Sequence, residues 1–87
     1  MLNDDIKKIT VIKQYLLDPP VSFKLHDYAV NYLTDAAEVL AQYPNAKDTR
    51  KYLLHSLKQL EDKTMPQQQL RNTLIDAGKK ISRLTSK

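Results

Sequence analysis

Asp18-Pro19-Pro20, Tyr43-Pro44-Asn45 and Lys63-Thr64-Met65-Pro66 are the stretches that decide the fold, because together they hold all four prolines of an 87-residue chain. Proline has no backbone N–H to donate, and its ring disfavours helix in the residue before it. Each stretch therefore stops one helix and lets the next begin. Four segments of helical length remain, joined by short loops.

Outward from the first break, residues 3 to 17 open on Asn3 or Asp4 as a cap, with acids in the first turn where they complement the helix dipole. Leu2, Ile6, Ile9, Ile12 or Lys13, and Leu16 follow three-and-four spacing, and Val11 and Leu17 broaden that face. Ile9-Thr10-Val11-Ile12 is β-branched throughout, but no second strand-like run exists to pair with it, so helix is expected. A second helix is expected after Ser22 as N-cap and up to about Tyr43, with Leu25, Ala29, Leu33 or Tyr32, Ala36 and Leu40 on one side. Its small Ala29, Ala36 and Ala37 invite close approach by a neighbour, which marks it as the central helix.

The third helix is expected from Asn45 as cap, with Ala46, Leu53, Leu57 and Leu60 forming the stripe and Leu54 beside it. The fourth follows Thr64-Met65-Pro66-Gln67, in which Thr64 and Gln67 have capping-box spacing and Pro66 sits where a helix start tolerates it. Leu70, Leu74, Ala77, Ile81 and Leu84 then recur at steps of four, three, four and three. Gly78, the one glycine, falls inside this helix at a cost of about 1 kcal/mol relative to Ala, which a close helix contact explains more simply than a hinge. Thr85-Ser86-Lys87 is expected to fray. Short loops between amphipathic helices favour antiparallel neighbours, so the expected fold is all-α: residues 1–87 as a single domain, an antiparallel up-down-up-down four-helix bundle. The alternative is a helical hairpin pair that completes its core by dimerising.

A domain of this length buries roughly 60% of the surface its unfolded chain exposes, enough for a thin core but not for one surrounding a deep substrate cavity. The absence of Cys removes disulfides, zinc-thiolate sites and Cys nucleophiles together and fits a reducing cytosol, although chance alone can account for it in a short chain. Apolar runs are only a few residues long against the roughly 20 that a membrane span needs, and Met1-Leu2-Asn3-Asp4-Asp5 is acidic where a secretory signal is basic, so a soluble cytoplasmic protein is expected. Residues 1–43 hold four Lys against six Asp/Glu, whereas residues 44–87 hold ten Lys/Arg against four. A basic half attracts nucleic acid, anionic membrane or an acidic protein face, and it also simply keeps a small protein soluble.

No catalytic, metal-ligating or phosphate-cradling pattern is present. His26 and His55 lack a second ligand at metal spacing, and His26 and Asp27, adjacent on a helix, do not face one another. Neither enzymatic activity nor a cofactor is expected. Tyr28 and Tyr32, four apart, share a face, with Phe23 upstream and Tyr15, Tyr43 and Tyr52 near other helix ends. Such rings usually close the ends of a core, and they can also build a binding surface. Lys79, Lys80 and Arg83, with Arg71 and Lys87, place positive charge along the outer face and end of the fourth helix, and Arg71, Lys79, Lys80 and Arg83 are the candidate partner-binding residues, although the helix dipole alone favours cations near that end. No helix-turn-helix signature accompanies them, so nucleic acid is not the expected partner.

Taken in order, Tyr15-Leu16-Leu17-Asp18-Pro19 closing a first helix, a long Ala-containing second helix ending near Tyr43-Pro44-Asn45, the Leu53 to Leu60 stripe and Met65-Pro66 opening a last helix resemble the immunity proteins of pediocin-like bacteriocins, the enterocin A immunity type. The likeness covers most of the chain. It departs at Ala41-Gln42-Tyr43-Pro44-Asn45, where a Lys-Gly turn is common in that family. The resemblance implies a small basic cytosolic four-helix bundle that protects a bacteriocin producer from its own pore-forming peptide. It also implies a protein partner, a mannose phosphotransferase permease engaged by the bacteriocin at the inner face of the membrane, with selectivity in the C-terminal half. A small helical regulator or adaptor, of phage origin for example, that binds another protein or nucleic acid is the alternative.

Overall fold

In the computed structural model, which describes residues 3–21 and 24–85, four α-helices follow one another: α1 (Asn3–Leu17), α2 (Leu25–Leu40), α3 (Lys47–Gln59) and α4 (Gln67–Thr85). No strand occurs among the described residues. Ser22, Phe23, Leu2, Ser86 and Lys87 lie outside them, so the expected Ser22 cap does too.

Each helix ends for a local reason. α2 stops three residues short of Tyr43, because Pro44 disfavours helix in the residue before it and holds Tyr43 extended at φ −116°, ψ 105°. The last turn tightens on the way, with the Ala41 N–H on the Glu38 carbonyl and the Tyr43 N–H on the Leu40 carbonyl. Asn45 does not cap α3 as the sequence suggested. Pro44–Ala46 forms a 3-10 turn, whose Ala46 N–H reaches the Tyr43 carbonyl at 3.0 Å, and Ala46 flanks the helix with no side-chain cap. α3 runs into a second 3-10 turn, Leu60–Asp62, and Lys63 then takes the left-handed conformation at φ 56°, reversing the chain as a helix terminus commonly does. The Thr64 hydroxyl donates to Asp62 at 3.1 Å, and α4 begins with the Leu70 N–H on the Pro66 carbonyl at 2.9 Å. Thr85, expected to fray, remains helical, and its hydroxyl donates to the Ile81 carbonyl.

The stripes close on one another as an all-α bundle. Ile9, Ile12 and Leu16 of α1 meet Leu25, Ala29, Leu33, Ala36 and Leu40 of α2, Leu53 of α3, and Leu70, Leu74, Ala77 and Ile81 of α4, all buried. α1 packs most extensively against α4. α2 touches the other three helices, as its small residues foretold. Gly78 marks the tightest point of the α1–α4 seam: a Cβ there would lie 2.8 Å from Leu17 Cγ. The radius of gyration, 12.2 Å, matches the roughly 12 Å expected of a packed chain of this length.

Three positions depart from the expected pattern. Ile6 and Val11, assigned to the apolar face of α1, are 38% and 50% exposed, because α1 packs chiefly on α4 and α2 and Ile9, Ile12 and Leu16 already fill those contacts. Ser56 is buried instead, its hydroxyl satisfied by the Tyr52 carbonyl at 2.9 Å.

Candidate partner-binding site

The four cations singled out in α4 divide into two groups. Arg71 and Lys80 are nine residues apart, which at 100° per residue puts them half a turn around the helix and roughly 13 Å along it. Arg71 reaches the loop after α1, where its Nη1 donates to the Pro19 and Pro20 carbonyls at 2.9 and 3.0 Å. Those carbonyls follow a helix end and have no helical partner, so the one guanidinium nitrogen ties the α1–α2 connection to α4. Lys80 leans the other way, with its Nζ 4.8 Å from the centre of the Tyr52 ring on α3. Burial pushes the Tyr52 phenol above its usual pKa, and the Asp76 carboxylate adds to the shift. Lys79 and Arg83, four apart on the exposed side of α4, have their heads in solvent. Lys80 and Arg83 flank a shallow cleft of about 200 Å³ shared with Asp48, Thr49 and Leu84. Lys79, Lys80 and Arg83 thus form one basic surface, and Arg71 stands apart from it.

A larger feature lies between α1 and α2. Tyr15 of α1 stacks on Tyr32 of α2 with ring centres 4.9 Å apart and planes 18° from parallel, and Tyr28 packs against both at 6.5 and 4.7 Å. The Tyr28 hydroxyl donates to the Tyr15 carbonyl at 2.6 Å. Desolvation by burial raises the Tyr28 pKa to about 12, with smaller contributions from the Tyr32 and Tyr15 phenols and the Asp18 carboxylate. From the stacked pair a groove of about 590 Å³ runs between the helices, floored by Val11, Ile12 and Val39 and walled by Lys7 and Lys8 on α1 and Asp35 and Glu38 on α2. Tyr28 and Tyr32 were legible as one face from their spacing. That Tyr15 joins them was not, because the meeting depends on how α1 and α2 dock.

The remaining polar groups have structural uses. His26 Nε2 lies 2.7 Å from the Leu60 carbonyl, and since a carbonyl only accepts, that nitrogen carries the proton and pins the start of α2 to the end of α3. Its Nδ1 comes within 3.8 Å of Asp27, so the two do face one another, contrary to the sequence expectation. The Tyr43 hydroxyl donates to Asp5, and Arg50 Nε donates to the Ala37 carbonyl at 3.2 Å. His55 is exposed. Among the described residues no three His, Cys, Asp or Glu side chains gather as a metal site, and no described helix is long and apolar enough to cross a membrane. No protein-family model, curated protein or solved structure was found to match the chain, so the site is read from its own residues.

Proposed function

We propose that this chain is a non-catalytic partner-binding bundle of the bacteriocin-immunity kind. In this reading it works in the cytosol, at the inner face of the membrane, and protects a producer of a pediocin-like pore-forming peptide by binding the engaged mannose phosphotransferase permease. The observation that carries the reading is the order of its parts. Tyr15-Leu16-Leu17-Asp18-Pro19 closes α1, Tyr43-Pro44-Asn45 separates α2 from α3, Leu53 and Leu60 are buried, and Met65-Pro66 opens α4 of a four-helix bundle. This order of parts is the one that resembles the enterocin A immunity type. The basic surface of Lys79, Lys80 and Arg83 supplies a contact for an acidic partner face.

The test is expression in a sensitive lactic-acid bacterium challenged with a panel of pediocin-like peptides. Protection against at least one peptide is expected, and unchanged killing across the panel contradicts the reading. The charge-reversed variant K79E/K80E/R83E is expected to keep its helicity, since none of the three side chains is buried, and to lose most of the protection. Full protection by that variant returns the three residues to solvated surface. The same exposed cations favour one second reading, a helical adaptor that binds nucleic acid, which predicts a salt-dependent mobility shift of DNA or RNA.

A further inference from the structure

The α1–α2 groove lies away from the basic surface and has a build of its own. From Tyr15 back to Lys8 on α1, and from Tyr32 forward to Val39 on α2, are seven residues each, so the antiparallel walls run together for roughly 10 Å, two helical turns. Its stacked end presents Tyr15, 47% exposed, and its floor presents Val11, 50% exposed. Toward the other end Lys7 and Lys8 stand on one wall and Glu38 on the other, with Asp35 midway along the α2 wall. Among the described residues no ion pair closes across the gap between them. Opposite charges that face each other over an apolar floor without meeting leave room for something between them.

We propose that this groove receives an amphipathic helix of a partner protein. Such a helix would lay an apolar stripe on Val11, Tyr15 and Val39, with acidic residues toward Lys7 and Lys8 and basic residues toward Asp35 and Glu38. Two turns is the span over which a helix offers anchors at i, i+3 or i+4, and i+7, and the notch between two antiparallel helices accepts a third as bundles do. An extended peptide finds no unpaired backbone edge here to add to, because both walls are helical. A uniformly anionic surface such as nucleic acid meets Asp35 and Glu38, and a uniformly basic one meets Lys7 and Lys8. The two charged walls therefore select a partner with acid on one flank and base on the other, and they fix its direction.

The test uses a synthetic 18-residue helical peptide with a leucine stripe, Glu along one flank and Lys along the other, titrated into the full-length isotope-labelled protein. The expected result is saturable binding with shifts concentrated at Val11, Tyr15, Tyr32 and Val39, at least tenfold weaker binding by a scrambled peptide of the same composition, and at least tenfold weakening by Val11→Lys. The exposed pair substitution K7E/K8E, which breaks no hydrogen bond or ion pair among the described residues, is expected to weaken the two-flank peptide at least fivefold and to tighten a peptide with Lys on both flanks. It keeps the test alive should Val11→Lys fail to fold. Equal binding of the scrambled peptide, shifts mapping to another face, or a dimer of the chain that occupies the groove and excludes the peptide each overturns the proposal. The proposal stands apart from the immunity reading: loss of peptide binding with protection intact strikes the groove alone, and absent protection with binding intact strikes the immunity reading alone.

Discussion

Arg71 holds two carbonyls 51 and 52 positions away in the sequence, and those two bonds are the long-range work of a residue otherwise indistinguishable from its cationic neighbours. A hydrogen bond from a charged donor contributes roughly 1.5 to 3 kcal/mol when well shielded and less when partly exposed, so Arg71→Ala is expected to cost about 1 to 2 kcal/mol in chemical unfolding. Arg71→Lys keeps the charge but ends in a shorter, more strongly hydrated ammonium and is expected to recover only part of that. Equal stability of wild type and Arg71→Ala would remove the clamp. Tyr28 predicts a pH signature. Its phenol keeps its proton in the folded state up to about 12, whereas the unfolded chain releases it near 10, so the unfolded state binds fewer protons across that interval. The stabilisation is fully present below pH 10 and is lost as pH rises toward 12. Ultraviolet titration is expected to show a tyrosine step near pH 12, and Tyr28→Phe is expected to remove it.

At the scale of elements, the proximity of Gly78 to Leu17 sets how closely α1 and α4 pack. Gly78→Ala gains about 1 kcal/mol of helix propensity, but its new methyl would lie 2.8 Å from Leu17 Cδ2 and Cγ and 3.2 Å from the Leu17 backbone nitrogen. Overpacking of that kind costs about 1 to 3 kcal/mol, so a net loss of about 1 kcal/mol is expected. In a Leu17→Ala background the cost is expected to shrink, since the side-chain contacts go and only the 3.2 Å approach to the backbone nitrogen remains, and the double-mutant cycle measures the contact; additivity of the two substitutions contradicts it. The helices themselves were legible in the sequence because their signals are local: proline at 19, 20, 44 and 66, and steps of three and four through Leu70 and Ile81. Their ends were less so, since the 3-10 turns at Pro44–Ala46 and Leu60–Asp62 belong to chain geometry rather than composition. Gly78 stood out by type, but its partner Leu17 depended on docking.

Across the whole molecule, the bundle separates its surface into unlike regions. The C-terminal half carries ten Lys and Arg against four acids and displays Lys79, Lys80 and Arg83 outward, whereas the α1–α2 side carries the apolar groove with its opposed charges. The basic half could be counted from the sequence; the groove could not. Val11 reads as core by periodicity and becomes half exposed only because no helix covers that side of α1, and Tyr15 finds Tyr32 only when the helices pack. Both regions require that the four stripes satisfy one another within one chain, since a hairpin pair that completed its core by dimerising would rearrange each surface. The most direct measurement is an isotope-filtered nuclear Overhauser experiment on a mixture of labelled and unlabelled protein, read at the contact between the Leu17 methyl groups and Gly78. Strong contacts within each molecule and none between molecules are predicted; contacts between labelled and unlabelled copies would contradict the account.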